Sequence, residues 1–78
     1  MPFTYILYSD SFNKYYVGAT SLEVHQRLKY HLSHHKGFTA KAKDWKVIFQ
    51  FESESIQQAL ALEKKIKKRG AKRFLESL

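Results

Sequence analysis

The stretch Thr4–His31, TYILYSDSFNKYYVGATSLEVHQRLKYH, decides how this chain folds. From Phe3 to Tyr8 the residues alternate between two faces, with Phe3, Tyr5 and Leu7 on one and Thr4, Ile6 and Tyr8 on the other. That period of two is the signature of a strand. Ser9 to Asn13 is turn material, rich in short polar side chains that hydrogen-bond to nearby backbone. Lys14 to Gly18 resumes the extended pattern, and so short a connection predicts an antiparallel hairpin. Gly18 ends the second strand, where a glycine suits a positive φ or a close approach to a ligand. Thr20-Ser-Leu-Glu23 reads as a capping box, so a helix is expected from Thr20 to about His34. Leu22, Leu28 and Leu32 share one side of it. Arg27 and His31 are neighbours one turn apart at the edge of that side.

The remainder supplies the elements that cover this hairpin. His34 to Asp44 is a polar, basic loop broken by Gly37. Trp45 to Phe51 is a third strand, with Trp45, Val47, Phe49 and Phe51 expected on one face and Lys46, Ile48 and Gln50 on the other. Ser53 or Ser55 caps a second helix that ends at Gly70. Its apolar positions, Ile56, Ala59, Leu60, Leu62 and Ile66, span one arc, and Glu63 falls inside it. A carboxylate there is costly unless it meets a partner or a cation. The alternative, an ordinary pair with Lys67 one turn on, is the weaker expectation. Ala71 to Leu78 reads as a short final helix. The predicted fold is α/β (α+β), one domain over residues 1–78: a three-stranded antiparallel sheet flanked by helices, in the order β-β-α-β-α-α.

Composition narrows the function classes. The chain has 78 residues, 44% of them hydrophobic and 15% aromatic, which fits a small globular domain with a thin core. It has no cysteine, so thiolate-bound metals and disulfides are excluded. No apolar run approaches the roughly 20 residues of a membrane span, and Met1 to Leu7 lacks a basic leader, so a cytoplasmic protein without a membrane partner is expected. Fourteen Lys and Arg against seven Asp and Glu give a net charge of +7, and seven of the fourteen lie between Lys64 and Arg73. Such an excess favours a polyanion. The run KKIKKRGAKR has few large apolar residues after Ile66, which argues for phosphate contacts over a membrane surface.

Tyr5, then Tyr16-Val17-Gly18, then Arg27 and His31, then Glu63 within ALALEKKIKK together resemble the GIY-YIG nuclease superfamily. The closest likeness is to small stand-alone members similar to the amino-terminal nuclease domain of the bacterial excinuclease incision subunit. The resemblance covers nearly the whole chain. The first family triplet stands here as Phe3-Thr4-Tyr5, without its glycine and isoleucine, and one extra residue separates Gly18 from Arg27. The resemblance implies a DNA endonuclease that hydrolyses phosphodiesters with a divalent ion, Mg2+ or Mn2+, in repair or recombination. It assigns Tyr5, Tyr16, Arg27, His31 and Glu63 as catalytic and Glu63 as the metal ligand; some relatives carry a further His or Lys in the loop after the first helix, a place that Lys41 or Lys43 could fill.

The chemistry of those residues suits the task. The Arg27 guanidinium can hold a phosphate oxygen through parallel hydrogen bonds and stabilise charge that builds in the transition state. Glu63 offers the oxygen ligands that magnesium prefers. A tyrosine phenol near a cation loses its proton more readily, so Tyr5 is expected as general base, with Tyr16 orienting water or phosphate. A covalent phosphotyrosine is the rival route. Tyr8, Tyr15 and Tyr30 read as packing residues. Gly18, Lys41, Lys43, Lys64, Lys67, Lys68, Arg69, Lys72 and Arg73 are the expected DNA contacts, on branched, flapped or plain duplex DNA. Site-specific cutting by so small a domain would need a protein partner or a second copy. The alternative is a nucleic-acid-binding module that keeps the fold and does not cut.

Overall fold

The computed structural model describes residues 1–33 and 43–78, and for residues 30–33 the backbone alone. The chain forms β1 (Phe3–Ser9), β2 (Lys14–Thr20), α1 (Val24–Ser33), β3 (Lys46–Glu52), α2 (Ile56–Arg69) and α3 (Ala71–Glu76). The strands make one antiparallel sheet in the order β2-β1-β3, so the first strand is central and pairs on both sides. The expected class and element order are both found. Asn13, at positive φ, closes the hairpin turn, and the Tyr8 hydroxyl donates to its side chain at 2.7 Å.

The alternation of β1 divides the core in two. Tyr5 and Leu7 pack with Val24 and Trp45, while Ile6 packs with Val17 and Ile66. The first cluster lies under α1. The second lies under α2 and α3, where Phe49 meets Phe74 edge to face at 5.3 Å. Thr4 is fully buried on the second face, and its hydroxyl donates to the Ala59 carbonyl at 2.7 Å. Such a bond contributes about 1 kcal/mol net and fixes the height of α2 on the sheet.

Four details differ from the sequence pattern. The helix α1 starts at Val24 and not at Thr20. Thr20 turns its hydroxyl to the Leu22 amide, and the Glu23 carboxylate caps the helix by accepting from the His25 amide at 2.8 Å. Val24 is therefore buried, and Leu22 is exposed. In β3 the expected single apolar face is split. Ile6 pairs with Phe49 and Leu7 with Val47, so Ile48 is an extra, bulged residue. The bulge puts Trp45 and Val47 in the α1 cluster and Phe49 in the other. In α2 the buried face centres on Ala59, Leu62 and Ile66, leaving Ile56 and Leu60 exposed. Gly18 does not end β2, which runs on to Thr20. Of the two caps that the sequence offers, Ser53 and Ser55, α2 uses Ser55, which accepts from the Gln58 amide, and it stops at Gly70 as the sequence predicts, with the glycine at positive φ.

The hairpin tip is tied to the start of β3. Asp44 accepts from the Ser9 hydroxyl, from the Ser11 hydroxyl at 2.9 Å and from the Ser11 amide at 2.9 Å. Lys46 adds an exposed pair with Asp10 at 2.8 Å. The serine hydroxyls and the Ser11 amide hold the Asp44 carboxyl down to about 2. A depressed folded-state pKa stabilises the protein above the unfolded value and loses that contribution as pH falls through the folded one. The urea midpoint of the native protein is therefore expected to drop between about pH 4 and pH 2. Asp44→Asn should lower the midpoint at neutral pH and flatten part of that acid dependence. An unchanged midpoint at pH 7 would show that the tether carries no stability.

Candidate active site

Register explains why Tyr5 and Gly18 belong together. They sit opposite each other across the β1–β2 pair, and the Tyr5 ring lies over the glycine. A Cβ on Gly18 would stand 2.5 Å from the Tyr5 hydroxyl and 2.6 Å from its Cζ. Contacts that close do not occur, so any side chain at 18 would have to move a tyrosine that is 1% exposed. The sequence predicts a positive φ or a ligand approach at Gly18. Neither is found, because its φ is not positive and the space above it is filled by the phenol. Tyr16, on the same face of β2, places its ring 6.4 Å from that of Tyr5 at 30°.

Arg27 comes from the middle of α1 and hydrogen-bonds to the Tyr5 phenol, with its Nε shielded from solvent. The Glu63 carboxylate, on α2, is close enough for its charge to act on the same phenol. Burial raises the Tyr5 phenol above its ordinary 10, and Tyr16 and Glu63 push it the same way, while the Arg27 hydrogen bond and charge pull it down. The net effect is upward. The expectation of a readily ionised tyrosine is thus reversed in the protein alone: Tyr5 holds its proton at neutral pH.

Glu63 is mostly buried, its side chain 19% exposed, and Lys67 pairs with it at 3.1 Å. The i,i+4 pair that the sequence made the weaker expectation is formed. The physical cause is simple: a carboxylate at the rim of an apolar face takes the nearest cation, one turn along the helix. A lysine ammonium at the carboxylate shows that the position accepts a cation. Among the described residues no group of three metal-ligating side chains exists. One carboxylate is nonetheless enough for magnesium, which keeps most of its waters and is commonly held by one or two carboxylates together with substrate phosphate. The residues present fit such an ion.

The other expected site residues fall into three groups. The backbone of His31 lies in α1, one turn after Arg27, and its side chain is outside the described part. Lys41 also lies outside the described residues. Lys43, Lys64, Lys67, Lys68, Arg69, Lys72 and Arg73 are all exposed, the last six on the last turns of α2 and on α3. Among the described residues no helix is long and apolar enough to cross a membrane.

The sequence family described as the GIY-YIG catalytic domain matches residues 1–75. The chain belongs to this family. Its members are nucleases that act on DNA and generally use divalent metal ions. Comparison with curated proteins and with solved structures gives no significant match. Within this fold the work of Gly18 is to make room for Tyr5. Gly18→Ala is expected to destabilise this protein by about 1–3 kcal/mol through overpacking. Denaturant unfolding measures it, and a midpoint equal to the native one would mean that the tyrosine moves freely.

Proposed function

We propose that this protein is a DNA endonuclease that hydrolyses a phosphodiester bond with Mg2+ or Mn2+ held at Glu63. The observation that carries this reading is the convergence of the Tyr5 phenol, the Arg27 guanidinium and the Glu63 carboxylate, drawn from β1, α1 and α2. A guanidinium and a carboxylate acting on one buried phenol make poor packing but a usable phosphate site.

Arg27 has five N–H donors, so it can hold Tyr5 and still offer a pair to a non-bridging phosphate oxygen. A divalent ion bound at Glu63 would polarise the phosphate and stabilise the leaving 3′ oxygen. Water attacks phosphorus, the P–O3′ bond breaks, and the water proton passes to Tyr5 Oη. Tyr5 must therefore have lost its own proton first. Arg27 favours that loss, and a cation that neutralises Glu63 removes one of the influences opposing it. Tyr16, close to Tyr5, orients the water or the phosphate. His31 is retained in the proposed set from its place one turn beyond Arg27. The exposed lysines and arginines of α2 and α3 hold the DNA backbone without reading sequence. Branched or flapped intermediates of repair or recombination are the proposed targets, cut in the cytoplasm. One observation favours a binding-only module: Glu63 already has a cation in Lys67.

The deciding experiment is cleavage of labelled branched, flapped and plain duplex DNA with Mg2+ or Mn2+. Glu63→Ala and Arg27→Ala should each lower the rate about 100-fold or more, while salt-sensitive binding persists. Equal binding by all three proteins and cleavage by none would leave the binding-only module. The raised Tyr5 pKa gives a second expectation. Cleavage should climb roughly tenfold per pH unit between pH 7 and 9, as the small phenolate fraction grows. Tyr5→Phe should remove both the slope and most of the rate. A flat native profile would exclude Tyr5 as the base.

A further inference from the structure

An open groove of about 470 Å³ runs along the outer edge of β2, lined by Tyr15, Tyr16, Val17, Lys67 and Ala71. Of its lining, only Tyr16 has a part in the proposed cleavage step; Tyr15, Val17 and Ala71 have none. Its walls are of three kinds: aromatic rings from the strand, small aliphatic groups from Val17 and Ala71, and one ammonium. Tyr15 is held in place by Tyr8, ring to ring at 4.9 Å, so little rotamer freedom remains to be lost when something packs on it. Among the described residues the lining carries no carboxylate.

We propose that this groove takes one unpaired nucleotide of single-stranded DNA, its base against Tyr15 and its phosphate at Lys67. This rests on the reading of the protein as a DNA nuclease, and it names the feature of the substrate that the nuclease grips. Aromatic and aliphatic walls with no fixed hydrogen-bond code accept any base by stacking, which is how sequence-tolerant single-strand binders work. The volume lies in the range of small-ligand sites, about 300–1,000 Å³. Charge agrees as well, because exposed Lys64, Lys68 and Lys72 lie within five residues of Lys67 in the chain.

Position ties the groove to the site. Tyr16 lines the groove and packs 6.4 Å from Tyr5. Lys67 lines it too, and its ammonium rests on Glu63 at 3.1 Å. A nucleotide lodged there is adjacent to the phosphate that Arg27 and Glu63 would hold. A base inside a duplex cannot enter without leaving its stack. The groove therefore favours DNA with an unpaired nucleotide beside the cut, such as a flap or a branch point.

The test is done in EDTA, so that no cutting occurs. Dye-labelled oligothymidylate of about ten nucleotides and a blunt duplex are titrated with native protein, Tyr15→Leu and Tyr15→Phe, and followed by fluorescence anisotropy. Tyr15→Leu should weaken single-strand binding about tenfold and leave duplex binding within about twofold. Tyr15→Phe, which keeps a ring, should bind both as the native protein does. Should Tyr15→Leu fail to fold, amide shifts of the native protein on adding the oligonucleotide decide instead: movement at Val17 and Ala71 supports the groove, and movement at the lysines alone overturns it. Unchanged single-strand binding by Tyr15→Leu, or equal loss on both DNAs, also overturns it while the nuclease reading stands. Native protein that binds neither DNA removes both.

Discussion

The phenol of Tyr5 lying across a bare glycine is the contact on which the rest of this structure depends. It requires that β1 and β2 pair in one register, because a slip by a single residue would turn Tyr5 to the other face and put a side chain under its ring. It requires that α1 present Arg27 at the phenol, which sets the rotation of that helix above the sheet. The candidate site is thus built from the hairpin outward. The central strand carries the tyrosine, the outer strand the clearance for it, and two helices on opposite faces bring the charges.

The two charges place opposing demands on that phenol. Burial and the nearby carboxylate keep the proton on, and the guanidinium works to take it off. In the protein by itself the first side wins. Neutralising Glu63 relieves one of the smaller influences that keep the proton on, behind burial and Tyr16. Lys67 already neutralises it in part, in a position open to solvent from which it can be displaced. On the proposed reading, a site arranged this way would cut only once substrate and a cation had arrived.

The fold was legible because its signals are local. The period-two runs at Phe3–Tyr8 and Lys14–Gly18, the polar turn between them, Ser55 and Gly70 each announce an element or its end without help from the rest of the chain. What failed to show is what depends on contacts across the sheet. The alternation Trp45, Val47, Phe49, Phe51 looks continuous, and only pairing with β1 reveals that Ile48 is left over. Thr20 and Glu23 have the spacing of a capping box, yet Thr20 is still bound into β2, so Glu23 must cap the helix unaided. Gly18, Arg27 and Glu63 stood out as residue types in a pattern, but that Gly18 serves Tyr5 directly, and that Glu63 has a lysine on it, are facts of packing. Tyr15 gave no signal beyond being an aromatic in a strand; its groove exists only because α2 and α3 come to rest beside β2.

The leftover Ile48 has a consequence for how this small protein behaves among its own copies. Both outer strands of a three-stranded sheet offer unpaired amides and carbonyls to any passing strand. On β3 the bulge breaks the regular row of those groups in mid-strand and increases the local twist, and the charged Lys46 precedes it. A neighbouring chain could match the ladder on one side of the kink or the other, but not along its full length. In a chain with exposed Ile48 and Phe51 on that strand, this irregularity guards against growth into a fibre.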